Sequence, residues 1–243
     1  MKTTIKLICL LIAFVAAPAQ AQNWWGGKKV KGNGNVTAET VSTSDYAKIS
    51  AVGPMDVYLV SGNEGNIQVE ADSNFHEYIT VETDGDKLVL KIKKNVNLKS
   101  KNPIKITVPF EDIEAVKLTG SGDVMTKDAI QADDFEAAVT GSGDVNLELN
   151  ATQVSFKVTG SGDMRLKGGA DRVELRISGS GDFDGRQFRA KNAEVQVSGS
   201  GDAKVYAENN LTARVSGSGN ITYGGNPTVD KKVSGSGNIS SRN

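Results

Sequence analysis

The chain is short of the residues that carry most enzyme and metal chemistry. It has a single cysteine, Cys9, and a single histidine, His76. A zinc site built from several Cys or His ligands cannot be assembled from these two. His76, beside Phe75 in a polar stretch, reads as a surface residue rather than a base or a ligand. Aromatics make up only 6% of the chain. The charges nearly cancel, with 28 basic and 29 acidic residues. That balance gives no reason to expect a nucleic-acid partner or a strongly anionic membrane surface. Past the first 21 residues no apolar run approaches the length of a membrane-spanning helix. No cofactor, metal or catalytic residue is expected from the sequence.

The first residues read as an export signal. Lys2 and Lys6 form a basic start, Leu7 to Ala17 an apolar stretch, and Ala19-Gln20-Ala21 a small-x-small cleavage site. Cleavage after Ala21 removes Cys9, so the exported chain would have no disulfide, no reactive thiol and no lipid on cysteine. The residues before Cys9, Lys6-Leu7-Ile8, do not resemble a lipoprotein cleavage site. The expected destination is the periplasm, the outer-membrane surface or the medium. Residues 22–42, with Trp24, Trp25 and Lys31-Gly32-Asn33-Gly34-Asn35, read as a flexible linker. Residues 43–243 form the folded domain.

Glycine, by contrast, is abundant, at 27 residues. Much of it sits in seven copies of G-S-G-[D/N], beginning at Gly120, Gly141, Gly160, Gly179, Gly199, Gly217 and Gly235. The steps are 21, 19, 19, 20, 18 and 18 residues. A period near 20 is the signature of a repeat architecture. Two residues before each copy stand Leu118, Val139, Val158, Ile177, Val197, Val215 and Val233. Directly after it stand Val124, Val145, Met164, Phe183, Ala203, Ile221 and Ile239. Apolar residues also recur four and six places upstream. This alternation is strand periodicity. Counting by twos, both glycines fall on the inward face, where the wall bends and a Cβ has no room.

Leucine-rich, calcium-binding nonapeptide and hexapeptide repeats each lack their required pattern here. The expected fold is all-β: a right-handed parallel β-helix, a β-solenoid with coils of about 19 residues. One coil buries too little apolar surface to fold alone, so stability must come from stacking. Residues 43–118 are less regular. Gly53-Pro54-Met55-Asp56-Val57 aligns with Gly120-Ser121-Gly122-Asp123-Val124 as a decayed copy, and Asp84-Gly85 marks a hairpin. This half reads as the first coils of the same solenoid; a separate small β domain is the alternative.

The run from Ile49 through Gly53-Pro54-Met55-Asp56-Val57 is one distinctive element. Others are Ile67-Gln68-Val69-Glu70-Ala71-Asp72, the turn Thr83-Asp84-Gly85-Asp86-Lys87-Leu88, and the chain of G-S-G-D copies. Over residues 44 to 240 this combination resembles the "putative auto-transporter adhesin, head GIN domain" family of secreted bacterial proteins. The resemblance implies a right-handed β-helix similar to pectin lyase-type folds but without their catalytic residues. It implies no particular functional residue.

Two outward columns are candidate sites. Asp123, Asp144, Asp163, Asp182 and Asp202, continued by Asn220 and Asn238, should stack one above another. They could form a cation ladder. Alternatively each side-chain oxygen accepts backbone N–H groups at the glycine corner, a reading favoured by Asn in the last two coils. The second column is Lys117, Ala138, Lys157, Arg176, Gln196, Arg214 and Lys232. It could meet an anionic glycan, or it could be a solvated face. The functional reading is a non-catalytic envelope or surface protein, adhesive in character, with a surface glycan or an envelope protein as partner. The alternatives are a polysaccharide lyase or hydrolase on the same scaffold, and a periplasmic sensor or scaffold.

Overall fold

The computed structural model describes residues 27–242. The expected export signal with Cys9, and the Trp24–Trp25 pair, lie outside the described residues. Strands dominate, and among the described residues the one helical element is a 3-10 turn at His76–Tyr78. The strands ending at the repeated glycines pair in parallel, glycine on glycine. Gly120 pairs with Gly141, Gly141 with Gly160, Gly160 with Gly179, and so on to Gly217 with Gly235. The chain is a β-solenoid of stacked coils, as the repeat spacing predicts. At the strand spacing of about 4.8 Å, seven coils extend roughly 34 Å.

The alternating pattern faces as expected. Leu118, Val139, Val158, Ile177, Val197 and Val215 are buried, as are Val124 through Ile239 on the far side of each glycine corner. Phe156 packs against Phe183 and edge-on against Phe188, with ring centroids 5.7 and 5.8 Å apart. The last coil departs from the pattern. Lys231 replaces the core apolar residue and is exposed, and Val233 is 41% exposed.

The less regular half continues the same stack. Lys48–Gly53 pairs in parallel with Ala115–Gly120, setting Gly53 against Gly120, and Met55–Ser61 pairs with Val124–Thr126, setting Val57 against Val124. One more layer, Lys87–Ile92 and Ile104–Phe110, lies beyond it. Antiparallel strands then close this end. Ile79–Asp84 forms a hairpin with Lys87–Ile92, turning at Gly85 with φ +62, and Val36–Ser42 pairs with Asn66–Asp72. Such strands turn the ladder aside from further stacking.

The flexible-linker expectation is corrected from Lys28 onward. Lys28–Lys31 is a strand paired in parallel with Val96–Lys99, and Val36–Ser42 is part of the antiparallel closure. Only the Gly/Asn run at 32–35 between them is loop, and even that is tied down. The carboxylate of Asp72, only 1% exposed, accepts the Gly34 N–H at 3.0 Å and the Asn102 amide at 3.0 Å, and is also bonded by Ser100 Oγ. The glycines and asparagines were the local signal; the partners that order them lie far along the chain. His76 is likewise not a surface residue. Its side chain is 7% exposed, and Nε2 lies 3.0 Å from Thr37 Oγ1.

Candidate functional site

The glycine corners explain what the repeated phrase is for. The first glycine of each copy takes a left-handed backbone, as at Gly160 with φ +109. The second glycine faces the coil before it. A Cβ on Gly162 would lie 2.1 Å from the Gly143 carbonyl oxygen, so a side chain there forces adjacent coils apart. The freed N–H groups find partners: Ser161 and Gly162 both donate to the Gly141 carbonyl, at 2.8 and 3.0 Å.

The Asp/Asn column completes this corner. Asp123 Oδ1 accepts the Asp144 N–H at 2.9 Å, and Asp144 Oδ1 the Asp163 N–H at 3.0 Å. Asp163 and Asp182 do the same for Asp182 and Asp202, at 3.0 and 2.8 Å. Asp202 then accepts from Asn220 at 2.8 Å, and Asn220 from Asn238 at 3.1 Å. Each side chain therefore uses one oxygen on the backbone of the next coil. Arg165 spans the second oxygens of Asp144 and Asp163, at 3.1 and 3.0 Å. Among the described residues no group of three His, Cys, Asp or Glu side chains is placed to hold a metal ion.

The second column is in register but does not form a bare cationic stripe. Lys117 meets Glu136 at 3.2 Å, Arg176 is bonded to Glu174, and Arg214 to Asp230. These carboxylates come from the neighbouring outward positions of the same face.

Sequence reasoning missed a different feature, on the face that follows the glycine corner. Two adjoining clefts share Arg186 and Arg242. Together they are lined by five cationic side chains, Arg165, Lys167, Arg186, Lys204 and Arg242, against the carboxylates of Glu148 and Asp184. The groove forms where the repeat loses register. Between Asp184 and Arg189, residues 185–188 stand opposite Val205 alone. This wide bulge buries Phe188 and puts Arg186 at the rim. Arg186 grips Asp184 through Nε at 2.8 Å, which holds that carboxyl below the usual carboxylate range. Arg189 lies over the Tyr206 ring, 4.6 Å from its centroid, and fixes the neighbouring wall. Lys167, Lys204 and Arg242 are in no ion pair among the described residues. The signal was in the spacing: the 20-residue step from Gly179 followed by the 18-residue step from Gly199 brackets the bulge.

A rim of opposite sign lies toward the other end. Asp45, Glu64, Glu111, Asp112, Asp133 and Asp134 line two adjoining depressions. Glu64 is held there by accepting the Tyr46 N–H at 2.7 Å.

No curated protein matches this sequence. Solved structures do. A protein from Bacteroides fragilis named a "putative adhesin" is 23% identical, with a TM-score of 0.82, covering 88% of this chain and all of that one. A "putative lipid binding protein" from Parabacteroides distasonis is 26% identical, with a TM-score of 0.76 over 89% of this chain and all of that one. A "putative adhesin" from Parabacteroides merdae is 20% identical, with a TM-score of 0.71 at 89% and full coverage. The family model described as "Putative auto-transporter adhesin, head GIN domain" matches residues 45–227, and the chain belongs to that family.

Proposed function

We propose that this protein is an exported, non-catalytic binding scaffold of the cell envelope or cell surface, adhesin-like in action, and that it takes a surface glycan in the cationic groove. The observation that carries the reading is the groove itself: five cations face two carboxylates at the place where the repeat breaks. On the face before the glycine corner, Lys117, Arg176 and Arg214 are instead each matched by a neighbouring carboxylate. Three successive coils each contribute a cation, Arg165 with Lys167, then Arg186, then Lys204, which suits an extended acidic saccharide chain lying along the axis. The family description supports adhesion. The Lys2–Ala21 segment supports export. The Asp/Asn column is assigned a structural role, because from Asp123 to Asn220 one oxygen of each side chain is committed to the backbone N–H of the next coil.

The test is a glycan array combined with a polysaccharide-degradation screen. Retention of uronate-bearing glycans without cleavage is expected, and Lys167→Gln with Lys204→Gln should reduce it about tenfold or more. Release of oligosaccharides from any polysaccharide would overturn the non-catalytic reading. Equal binding by the double variant would remove the groove as the site.

A further inference from the structure

The smaller of the two clefts differs in kind from the larger. Its volume is about 390 Å³, against about 560 Å³, and its walls are aromatic as well as cationic. Tyr206 and Tyr223 line it, and Thr222 adds a hydroxyl. The strand ladder places both rings. Tyr206 pairs with Arg189 on the coil before and with Gly224 on the coil after. Arg189 lies over the Tyr206 ring, and on the side of Gly224 an added Cβ would come 3.0 Å from Tyr206 Cδ2. Tyr223 stands in the inward row after Val205 and packs on the core, yet it is only half-buried. Gly224 and Gly225 leave the adjoining wall without side chains, which opens the cleft. Arg186, Lys204 and Arg242 line its rim, and all three are exposed. Arg242 is anchored by its backbone N–H, which donates to the Tyr223 carbonyl at 2.7 Å. Aromatic carbon, hydroxyls and cations thus meet around a space within the range of small-molecule sites.

We infer that this cleft is a subsite for one uronate ring, with the sugar's C–H face on Tyr223 and the bare glycine wall and its carboxylate among Arg186, Lys204 and Arg242. The hydroxyls of Tyr206 and Thr222 are the partners for the sugar's own hydroxyls. The inference rests on the glycan reading of the groove and names the sugar that the groove selects. A simple anion would use the three cations and leave the aromatic wall without a role. A neutral sugar would use that wall and leave the cations without a counter-charge. A uronate carries an apolar face, a hydroxyl edge and one negative charge on a single ring, so it answers all three groups. No aromatic residue lines the larger cleft, where Arg165 and Lys167 face Glu148 and Asp184, so that cleft holds the following units through charge. Arg186 and Arg242 line both clefts, which lets one chain run from the subsite into the larger cleft.

Calorimetric titration of the purified protein with galacturonate and glucuronate, together with the NMR signals of its tyrosine rings, tests it. A dissociation constant of about 1 mM or tighter is expected for at least one of the two, the range for a ligand of this size. Galactose, glucose and acetate should each bind at least about tenfold more weakly. Arg242→Gln should weaken uronate binding about tenfold at an unchanged melting temperature, because that side chain is exposed and in no ion pair among the described residues. Gly224→Leu keeps every polar group and needs no left-handed backbone, and it should abolish binding by filling the cleft. Acidic-glycan retention that falls with Lys167→Gln but not with Gly224→Leu would leave the groove standing and remove this subsite. Uronate binding without retention of any acidic glycan would keep the subsite and remove the extended chain. Absence of uronate binding, acetate binding as tight as uronate, or unaltered binding by both Arg242→Gln and Gly224→Leu would each overturn the inference.

Discussion

At the scale of single residues, chemically similar side chains in the repeated phrase have very different weight. Ser161 is exposed, while Gly162 is buried with a carbonyl oxygen where its Cβ would be. Ser161→Ala should therefore change stability by less than about 0.5 kcal/mol, and Gly162→Ala should cost more than about 3. Chemical denaturation of both variants checks this, and a mild Gly162→Ala would mean the coils can separate at the corner. Asp163 offers a finer contrast. Oδ1 accepts the Asp182 N–H, and Asn keeps that acceptor while removing a charge from a column of like charges. Asp163→Asn should be close to neutral. Asp163→Ala should lose about 1 kcal/mol, because the Asp182 N–H is left without its partner. A melting temperature that rises by several degrees with millimolar calcium, a response lost in Asp163→Asn, would replace the structural reading with a cation ladder.

At the scale of the element, each coil depends on an apolar row and on its neighbours. Leu175 has no solvent exposure and sits between Phe156 and Val195 in register. Leu175→Ala should cost about 2–5 kcal/mol as an internal cavity, measured by denaturant titration. An unchanged midpoint would contradict the facing of the whole row. Lys231 occupies the equivalent column in the terminal coil but is exposed, as suits a strand that discourages further pairing. This much was legible in the sequence, because an in-register parallel stack repeats its environment at each turn. Even the decayed copy at Gly53 could be placed, since the Gly53–Gly120 register preserves the apolar positions on either side. The order of residues 28–42 was not legible. Their partners, Val96–Lys99 and Asn66–Asp72, are chosen by the closure of the end of the stack and not by local pattern. The groove was half legible: the uneven steps were visible, but the bulge that lifts Arg186 to the rim shows only in the pairing of residues 185–188 with Val205.

At the scale of the whole molecule, carboxylates tie distant segments together, and acid should loosen those ties. Hydrogen bonds from Ser100, Asn102 and Gly34 hold the Asp72 carboxyl below the usual range despite its burial. Arg186 lowers Asp184, Lys48 lowers Asp86 and Arg214 lowers Asp230, each first through a side-chain hydrogen bond. For a carboxyl whose pKa falls on folding, the stabilisation is present above the unfolded value of about 3.9 and disappears as pH drops through the folded value. Asp56 acts in the opposite direction, because burial raises it and its protonation favours the native state. With four lowered carboxyls against that one, stability should be level near neutrality and decline below about pH 4. Asp72 has the widest structural reach, joining the 32–35 loop to residues 100–102 at the closed end of the solenoid. Asp72→Asn retains acceptor capacity but cannot titrate, so it should be less stable than the native chain at pH 7 and show a shallower acid decline. Melting curves from pH 7 to pH 2 provide the measurement. The native protein should lose at least about 3 °C at the acid end, the shift that roughly 1 kcal/mol produces in a chain of this size. A flat profile, or an Asp72→Asn profile as steep as the native one, would show that these carboxylates do not hold the closed end in place.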